Sequence, residues 1–396
     1  MTENKLPLAG VRVVEFTHMV MGPTCGLILG DLGAEVVKVE PMAGDTTRRL
    51  KGSAAGFFPT FNRNKKSIAL DLRRPEGIAA ALRLASTADV VSENFKPDTM
   101  DRLGLGYDSI SRLNPRVIYV SHKGFLPGPY ENRTALDEVV QMMAGLAYMT
   151  GPEGRPLRAG SSVNDIMGGM FGAIGAMAAL RARDETGKGQ LVQSGLFENS
   201  VFLVAQHMMQ YAVTGEPAAP MPSRVSAWPI YDVFTVADGE QIFLAVVSDA
   251  QWERFCEAFG YADLKNDPRH RSNDERVQAR ATLLPALRER LGRLPARTVA
   301  RRFEENGLPF APIARPHELF DDPHLNASGG LAPIRVQAGE TAADSKVPLL
   351  PIMLDGRRPG LRLQPPQVGE HTDELLASCG YDAQEIRSLK ESGIAA

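Results

Sequence analysis

Along the first 125 residues, short apolar runs alternate with longer stretches of helical spacing. "VRVVEF" (11–16) and "AEVVKVE" (34–40) are rich in β-branched residues, the texture of strands buried on both faces. Between them, "GPTCGLILGDLG" (22–33) repeats its apolar positions at helical intervals and stops at glycine. This predicts a βαβ unit. "PEGIAAALRLAST" (75–87) reads as helix, and "ADVVSENF" (88–95) and "RVIYVSHKGF" (116–125) read as strands with polar exits. A parallel sheet covered by helices accounts for the pattern. In such sheets ligands sit beyond the carboxyl ends of the strands, so "THMVMGP", "ENFKP" and "SHKGF" are expected to line one crevice.

The texture changes near residue 215. "TGEPAAPMPSRVSAWP" (214–229) is rich in Pro, Ser and Gly and reads as a linker over 215–229. The pattern divides the chain into a large α/β domain over 1–214, a smaller α+β domain over 230–327, and a part over 328–396 that rejoins the large domain. Within the last part, 328–369 is Pro/Gly-rich and poor in core residues, and is expected to run as a strap against other structure.

Composition narrows the function. The chain has 396 residues, 43% of them apolar, with 44 Lys+Arg against 47 Asp+Glu and a net charge of −3. That balance gives no electrostatic reason to expect nucleic acid or an anionic membrane as partner. The N-terminal "MTENKLPLAG" is neither a basic segment before an apolar core nor Arg/Ser-rich, and no apolar run approaches the ~20 residues that span a bilayer, so a cytoplasmic location is expected. Cys25, Cys256 and Cys379 lack CxxC spacing, which points to buried thiols rather than a metal site or a disulfide framework. "THMVMGPTCG" lacks the GxGxxG that brings backbone to a pyrophosphate, which argues against a nicotinamide cofactor. No GxxxxGK[ST], GxSxG or HExxH is present either.

One segment stands apart. "SSVNDIMGGMFGAIGAMAAL" (161–180) sets a single carboxylate, Asp165, before a run of Gly, Ala and Met. With Asn164 as cap, Asp165 lies in the first helical turn, where the helix dipole favours an ionised carboxylate. That alone describes an ordinary helix-terminal acid. Gly168, Gly169, Gly172 and Gly175 each cost up to about 1 kcal/mol relative to alanine in a helix, so they imply close approach of another backbone or a ligand. A carboxylate at such a water-poor site is a candidate nucleophile.

These segments, taken in order, resemble the family III CoA-transferases, which include formyl-CoA transferase and carnitine CoA-transferase and are related to α-methylacyl-CoA racemase. The resemblance is carried by "LPLAGVRVVEFTHMVMGPTCGLILGDLGAEVVKVEP", "FNRNKKSIALDLRRPEG" (61–77), "ADVVSENFKPDTMDRLGLGYDSISRLNPRVIYVS" (88–121), the Asp165 segment with "TGKGQLVQSGLFENSV" (186–201), and "VGEHTDELLASCGYDAQEI". It implies a Rossmann-like large domain built from both termini, a small domain between them, and an interlocked homodimer. It implies Asp165 as the nucleophile that forms an aspartyl anhydride and then an aspartyl-CoA thioester, with glycine-rich turns stabilising the oxyanions. The implied partners are an acyl-CoA donor and a carboxylic acid acceptor, with coenzyme A entering as part of the substrate and no tightly bound cofactor.

Residue by residue, the resemblance places CoA contacts on Val20, Met21, Leu70 to Arg73, Asn94, Phe95, Lys96, Arg102 and Asp137. Cations there suit phosphates and apolar groups suit adenine. Three departures stand out. Val20 replaces the glutamine of formyl-CoA transferase, and "MPSRVSAWPIYD" lacks that enzyme's glycine-rich loop, which argues against oxalate and formate. Pro41 replaces a basic residue, with Arg48 and Arg49 nearby as substitutes. Leu136-Asp137 stands where the racemases have a proton-exchanging His-Asp pair, which favours transferase over racemase, with a non-catalytic CoA-binding relative as a further alternative. His18 and His122 lie at other strand ends, and Arg158 and Arg224 are candidates to hold a second carboxylate.

Overall fold

The computed structural model describes residues 5–224, 226–338 and 341–396. The chain divides into one unit of Met1–Pro222 with Pro323–Ala396 and a second of Ser223–Asp322. The first is built on a six-stranded, fully parallel sheet: β1 (Arg12–Phe16), β2 (Glu35–Glu40), β3 (Lys65–Ala69), β4 (Val90–Glu93), β5 (Ile118–Lys123) and β6 (Gln190–Gly195). The order is β3-β2-β1-β4-β5-β6, so the winding reverses between β1 and β4.

Alternate strand residues feed two cores. On one face Val14, Phe16, Val37, Val39 and Ile68 pack with Ala80, Ala81 and Leu84 of α2 (Pro75–Ser86) and with Leu375, Leu376, Ile386 and Leu389 from the far end of the chain. On the other, Val13, Val36, Val90, Ile118 and Val120 meet Cys25 and Leu29 of α1 (Met21–Asp31) and Ala173, Ala176 and Leu180 of α4 (Val163–Thr186). Two further helices matter below, α3 (Asp137–Met143) and α5 (Leu196–Thr214).

Charge is also buried beside β1. Lys65 Nζ lies 2.7 Å from Glu15 Oε1 and donates to Pro23 O and Asn62 Oδ1, while Lys38 Nζ meets Asp45 Oδ2 at 2.9 Å and Thr17 O at 2.6 Å. A Cβ on Gly26 would sit 1.8 Å from Glu15 Oε2, so the bare glycine makes room for the carboxylate. The structure thus pairs the charges that the apolar strands carry.

In the second unit, β7 (Ile230–Thr235), β8 (Gln241–Val246) and β9 (Phe310–Pro312) form an antiparallel sheet. It shares an apolar core with α6 (Asp249–Phe259), α7 (Arg280–Leu291) and α8 (Ala296–Glu305).

Two features depart from the sequence reading. The segment 328–369 begins with an antiparallel hairpin, β10 (Leu331–Ala338) and β11 (Thr341–Pro348), which buries Ala332, Ile334 and Val347 in a small core of its own. Only beyond it does the chain lie down as a strap. There Asn64 Oδ1 accepts from the amides of Arg362 and Leu363, at 2.6 and 2.8 Å. Second, α4 is long and apolar enough by length and composition to cross a membrane, although the sequence reading expected no run of that length. Here it packs on α1 and the sheet, and its small residues explain the hydropathy.

Candidate active site

The loops after β1 and β4 meet where the winding reverses. The His18 amide donates to Asn94 Oδ1 at 2.9 Å, Asn94 Nδ2 returns a bond to His18 O at 2.8 Å, and the His18 ring stacks on Phe95. Helix α1 starts beside this junction, and α4 runs along it. A methyl on Gly168 would fall 2.4 Å from Met21 Cε, and one on Gly169 would fall 2.5 Å from Met21 O. Gly172 and Gly175 are bare against His122 and Val192. The four glycines therefore serve close packing of the protein on itself rather than a ligand. They bring the first half of α4 against the start of α1 and against β5 and β6.

Helix α4 begins two residues earlier than the sequence implied, with Ser162 in the capping position and no side-chain cap from its own segment. Asn164 lies inside the helix, wholly buried, with both side-chain polar atoms unpartnered. The cap comes from α3. Asp137 Oδ2 accepts from the amides of Asn164 (2.8 Å) and Asp165 (3.1 Å), and its other oxygen accepts from Gln141 Nε2. Gln141 Oε1 in turn accepts from the Ala159 amide at 2.8 Å.

Asp165 lies in the first turn, half-buried, and its carboxylate has no hydrogen bond among the described residues. Burial, and next the Asp137 carboxylate, push its pKa up to about 7, while Arg158 pulls the other way. The helix terminus was expected to keep this group charged, but two amides of that terminus, those of Asn164 and Asp165, already face Asp137. The other first-turn amides are also taken, Val163 by Ser161 O (2.8 Å) and Ile166 by Ser162 O (3.0 Å). Oxyanion donors must come from elsewhere than this turn.

The remaining sequence-derived candidates fall into three groups. Val20, Met21 and Leu70 are buried, Leu70 in the main core, so at these positions only backbone can face a ligand. Asn94 and Phe95 are half-buried at the loop junction, and Lys96 is exposed beside it. Arg73 and Arg102 are exposed; Arg73 is clamped by Asp71 at 2.8 Å, whereas Arg102 makes one long contact, 3.4 Å to Thr99 Oγ1. Asp137 is buried and turned to α4 rather than to solvent. Arg48 is held by Glu40 and lies 3.6 Å over the Phe58 ring, so it is not a free phosphate ligand; Arg49 is exposed.

Both histidines are accounted for structurally. Burial lowers the His122 pKa to about 3, and its Nε2 sits 3.1 Å from Ser92 Oγ behind Gly172. Burial also lowers His18. Arg158 is partly exposed and paired with Glu138, and Arg224 is exposed in the second unit. Cys25 and Cys256 are buried and Cys379 is half-exposed. Among the described residues no cluster of His, Cys, Asp and Glu could hold a metal. The Asp137–Gln141 link was missed in the sequence; its only trace is the i, i+4 spacing of the two residues in "DEVVQ".

The chain is similar to known proteins throughout. The family model described as CoA-transferase family III matches residues 8–372. A succinate–glutarate CoA-transferase of Agrobacterium fabrum is 34% identical, covering 95% of this chain and 96% of that protein. The mouse succinyl-CoA:glutarate CoA-transferase is 31% identical over 98% of this chain and 90% of its own. The crystal structure of a CAIB/BAIF family protein from Brucella suis superposes with a TM-score of 0.84 at 32% identity, covering 95% of this chain and all of that one. The crevice at the winding reversal, the unpartnered Asp165 and these matches together identify the chain as a member of the family III CoA-transferases, an enzyme that moves coenzyme A between acyl-CoA and carboxylic acids.

Proposed function

We propose that this enzyme works through a covalent intermediate on Asp165 and that both of its acids are dicarboxylic. The observation that carries the first part is the Asp165 carboxylate itself: half-buried at the crevice, without a hydrogen bond, and destabilised as an anion by burial and by Asp137. A carboxylate in that state is a better nucleophile than one paired in water. It attacks the thioester carbonyl, the C–S bond breaks, and CoA thiolate leaves an aspartyl anhydride. The thiolate attacks the aspartyl carbonyl and releases the donor's free acid, giving aspartyl-CoA. The acceptor carboxylate then attacks this thioester and expels the thiolate. Attack of that thiolate on the acceptor's acyl carbonyl releases the new acyl-CoA and restores Asp165. Each step exchanges one activated acyl group for another, so no ATP is consumed.

Arg158 supports the second part. It lies close enough to stabilise the Asp165 anion, is partly exposed, and can turn from Glu138 to a substrate's distal carboxylate. The relatives named above act on succinate and glutarate, which have such a group. CoA itself is read as lying over the loop junction, with Arg102 on a phosphate and Phe95 beside the adenine. Racemisation is not favoured: the exposed Leu136 moves no proton, and His122 is walled off behind Gly172.

We further propose that two chains form the interlocked homodimer. Support comes from the outer side of α5, which exposes Phe202, Met208, Met209 and Val213, continued by Met170 and Ile174 of α4.

The test is to incubate the enzyme with succinyl-CoA and a panel of mono- and dicarboxylic acids and identify the CoA esters by mass spectrometry. New esters of dicarboxylic acids are expected. Hydroxylamine or borohydride added during turnover should mark the Asp165 peptide. Transfer only to monocarboxylic acids overturns the substrate reading, and an unmarked Asp165 during turnover overturns the mechanism.

A further inference from the structure

We infer that Asp137 is a positioning residue for transfer: by capping α4 through the Asn164 and Asp165 amides, it fixes the nucleophile's backbone and keeps the helix's positive end from neutralising the nucleophile. The inference rests on the Asp165 reading above.

The geometry separates this role from ordinary helix capping. A cap normally precedes its own helix by one residue, but here it comes from another helix 27 and 28 residues earlier in the chain. It is buried, and it is oriented by a relay: the Ala159 amide to Gln141, Gln141 to Asp137, Asp137 to the amides of the turn that carries Asp165. One end of that relay lies in the loop before α4 and the other in the first turn of α4, so Ala159 and Asp165 are held to one side-chain pair on α3. A shift of the turn would break three hydrogen bonds together.

The second consequence is electrostatic. A helix N-terminus attracts one negative charge effectively, and the effect fades within a turn. Asp137 takes that place, so Asp165 beside it meets a like charge instead of a favourable dipole. The charged groups acting on Asp165 are then Asp137 from α3 and Arg158 from the preceding loop, with Glu138 of α3 tied to Arg158. The outcome is a carboxylate less stabilised in its resting state and more ready to attack.

Two variants test the inference. In Asp137→Asn the charge goes and the amide must face Gln141 Nε2, donor against donor, so the relay breaks. Misplacing a reacting group by about 1 Å costs roughly a hundredfold, so kcat should fall about that far while KM for acyl-CoA changes less than about threefold. The acid limb of the pH–kcat profile should also move to lower pH, by on the order of one unit, because Asp165 loses its negative neighbour. The double variant Asp137→Asn/Gln141→Glu exchanges donor and acceptor and restores the hydrogen bonds with the charge moved away from α4. It should recover most of kcat and keep the shifted acid limb.

A single variant with parental kcat and an unmoved acid limb overturns the inference. So does a folded double variant that turns over no faster than the single one, or, if Asp137→Asn does not fold, a double variant that folds without turnover. Chemical marking of Asp165 in the parent enzyme is read separately, so failure of the nucleophile assignment is not confused with failure of this one.

Discussion

A methyl group on Gly172 would sit 2.4 Å from Cε1 of His122, closer than carbon atoms approach in proteins. The ring cannot easily retreat, because it is buried on β5 and bound at Nε2 to Ser92. Alanine is worth up to about 1 kcal/mol over glycine in a helix, but overpacking a rigid site costs typically about 1–3 kcal/mol. Gly172→Ala should therefore destabilise the large unit on balance, read as a lower urea midpoint. A gain in stability would mean that α4 moves off the sheet without penalty.

The Glu15–Lys65 pair gives a larger expected effect. Both side chains are fully buried, and Lys65 Nζ is the closest cation to Glu15. Lys65→Met leaves the carboxylate with Lys38 at 3.9 Å, and removing one partner of a buried pair costs about 3–5 kcal/mol. Paired replacement by Glu15→Leu/Lys65→Met should recover much of that loss, which a double-mutant cycle measures.

Asp165 ties stability to pH. Its folded pKa of about 7 lies above the unfolded value, so the folded state gains from the protonated form; that gain is complete below about pH 4 and is lost as pH rises through 7. Asp165→Asn removes the penalty. The variant should be more stable than the parent at pH 8, by on the order of 1–2 kcal/mol after screening by solvent, and the difference should vanish toward pH 4. Activity should be lost by several powers of ten, since an amide forms no anhydride.

Arg158 acts in the opposite sense to Asp137. Its cation favours the Asp165 anion, so Arg158→Gln should move the acid limb of kcat to higher pH. The same change should raise KM for a dicarboxylic acceptor about tenfold or more, with little effect on a monocarboxylic one. Equal effects on the two acceptors would place this guanidinium away from the distal carboxylate.

For CoA, Arg102 is an exposed cation shortly after β4 with one long internal contact, 3.4 Å to Thr99 Oγ1. Arg102→Ala should weaken acyl-CoA binding by about 1.5–3 kcal/mol, roughly ten- to a hundredfold, with kcat at saturation nearly unchanged. Isothermal titration with a non-transferable CoA thioether reads this directly.

Four of the six parallel strands were legible because they are apolar runs of the right length separated by helical spacing, whereas β3 (KKSIA) and β6 (QLVQSG) carry too few apolar residues to stand out; Asp165 was legible as a lone charge before a glycine-rich helix. What surrounds Asp165 was not. The cap on α4 joins residues 27 positions apart, and nothing in "DEVVQ" shows that its aspartate turns to a distant amide. The glycines signalled close approach but not the partner, which is set by tertiary packing. The β10–β11 hairpin was hidden by prolines, and the Lys65–Glu15 pair by the convention that charge marks a surface.

The segment 372–396 closes the sheet from the far end of the chain: Ala395 bridges to Leu70, Thr372 Oγ1 donates to Ala396 O, and Leu375, Leu376, Ile386 and Leu389 finish one of the two cores. During synthesis, then, the large unit waits with one flank open while the contiguous stretch 223–322 is free to mature. Residues 372–396 act as a checkpoint, and a nascent chain arrested before them should expose apolar surface to a chaperone until they emerge. Ribosome-bound chains carrying residues 1–370 or 1–396, each followed by a flexible spacer long enough to fill the exit tunnel, compared for protease resistance of the first 200 residues, would show whether this order of assembly holds.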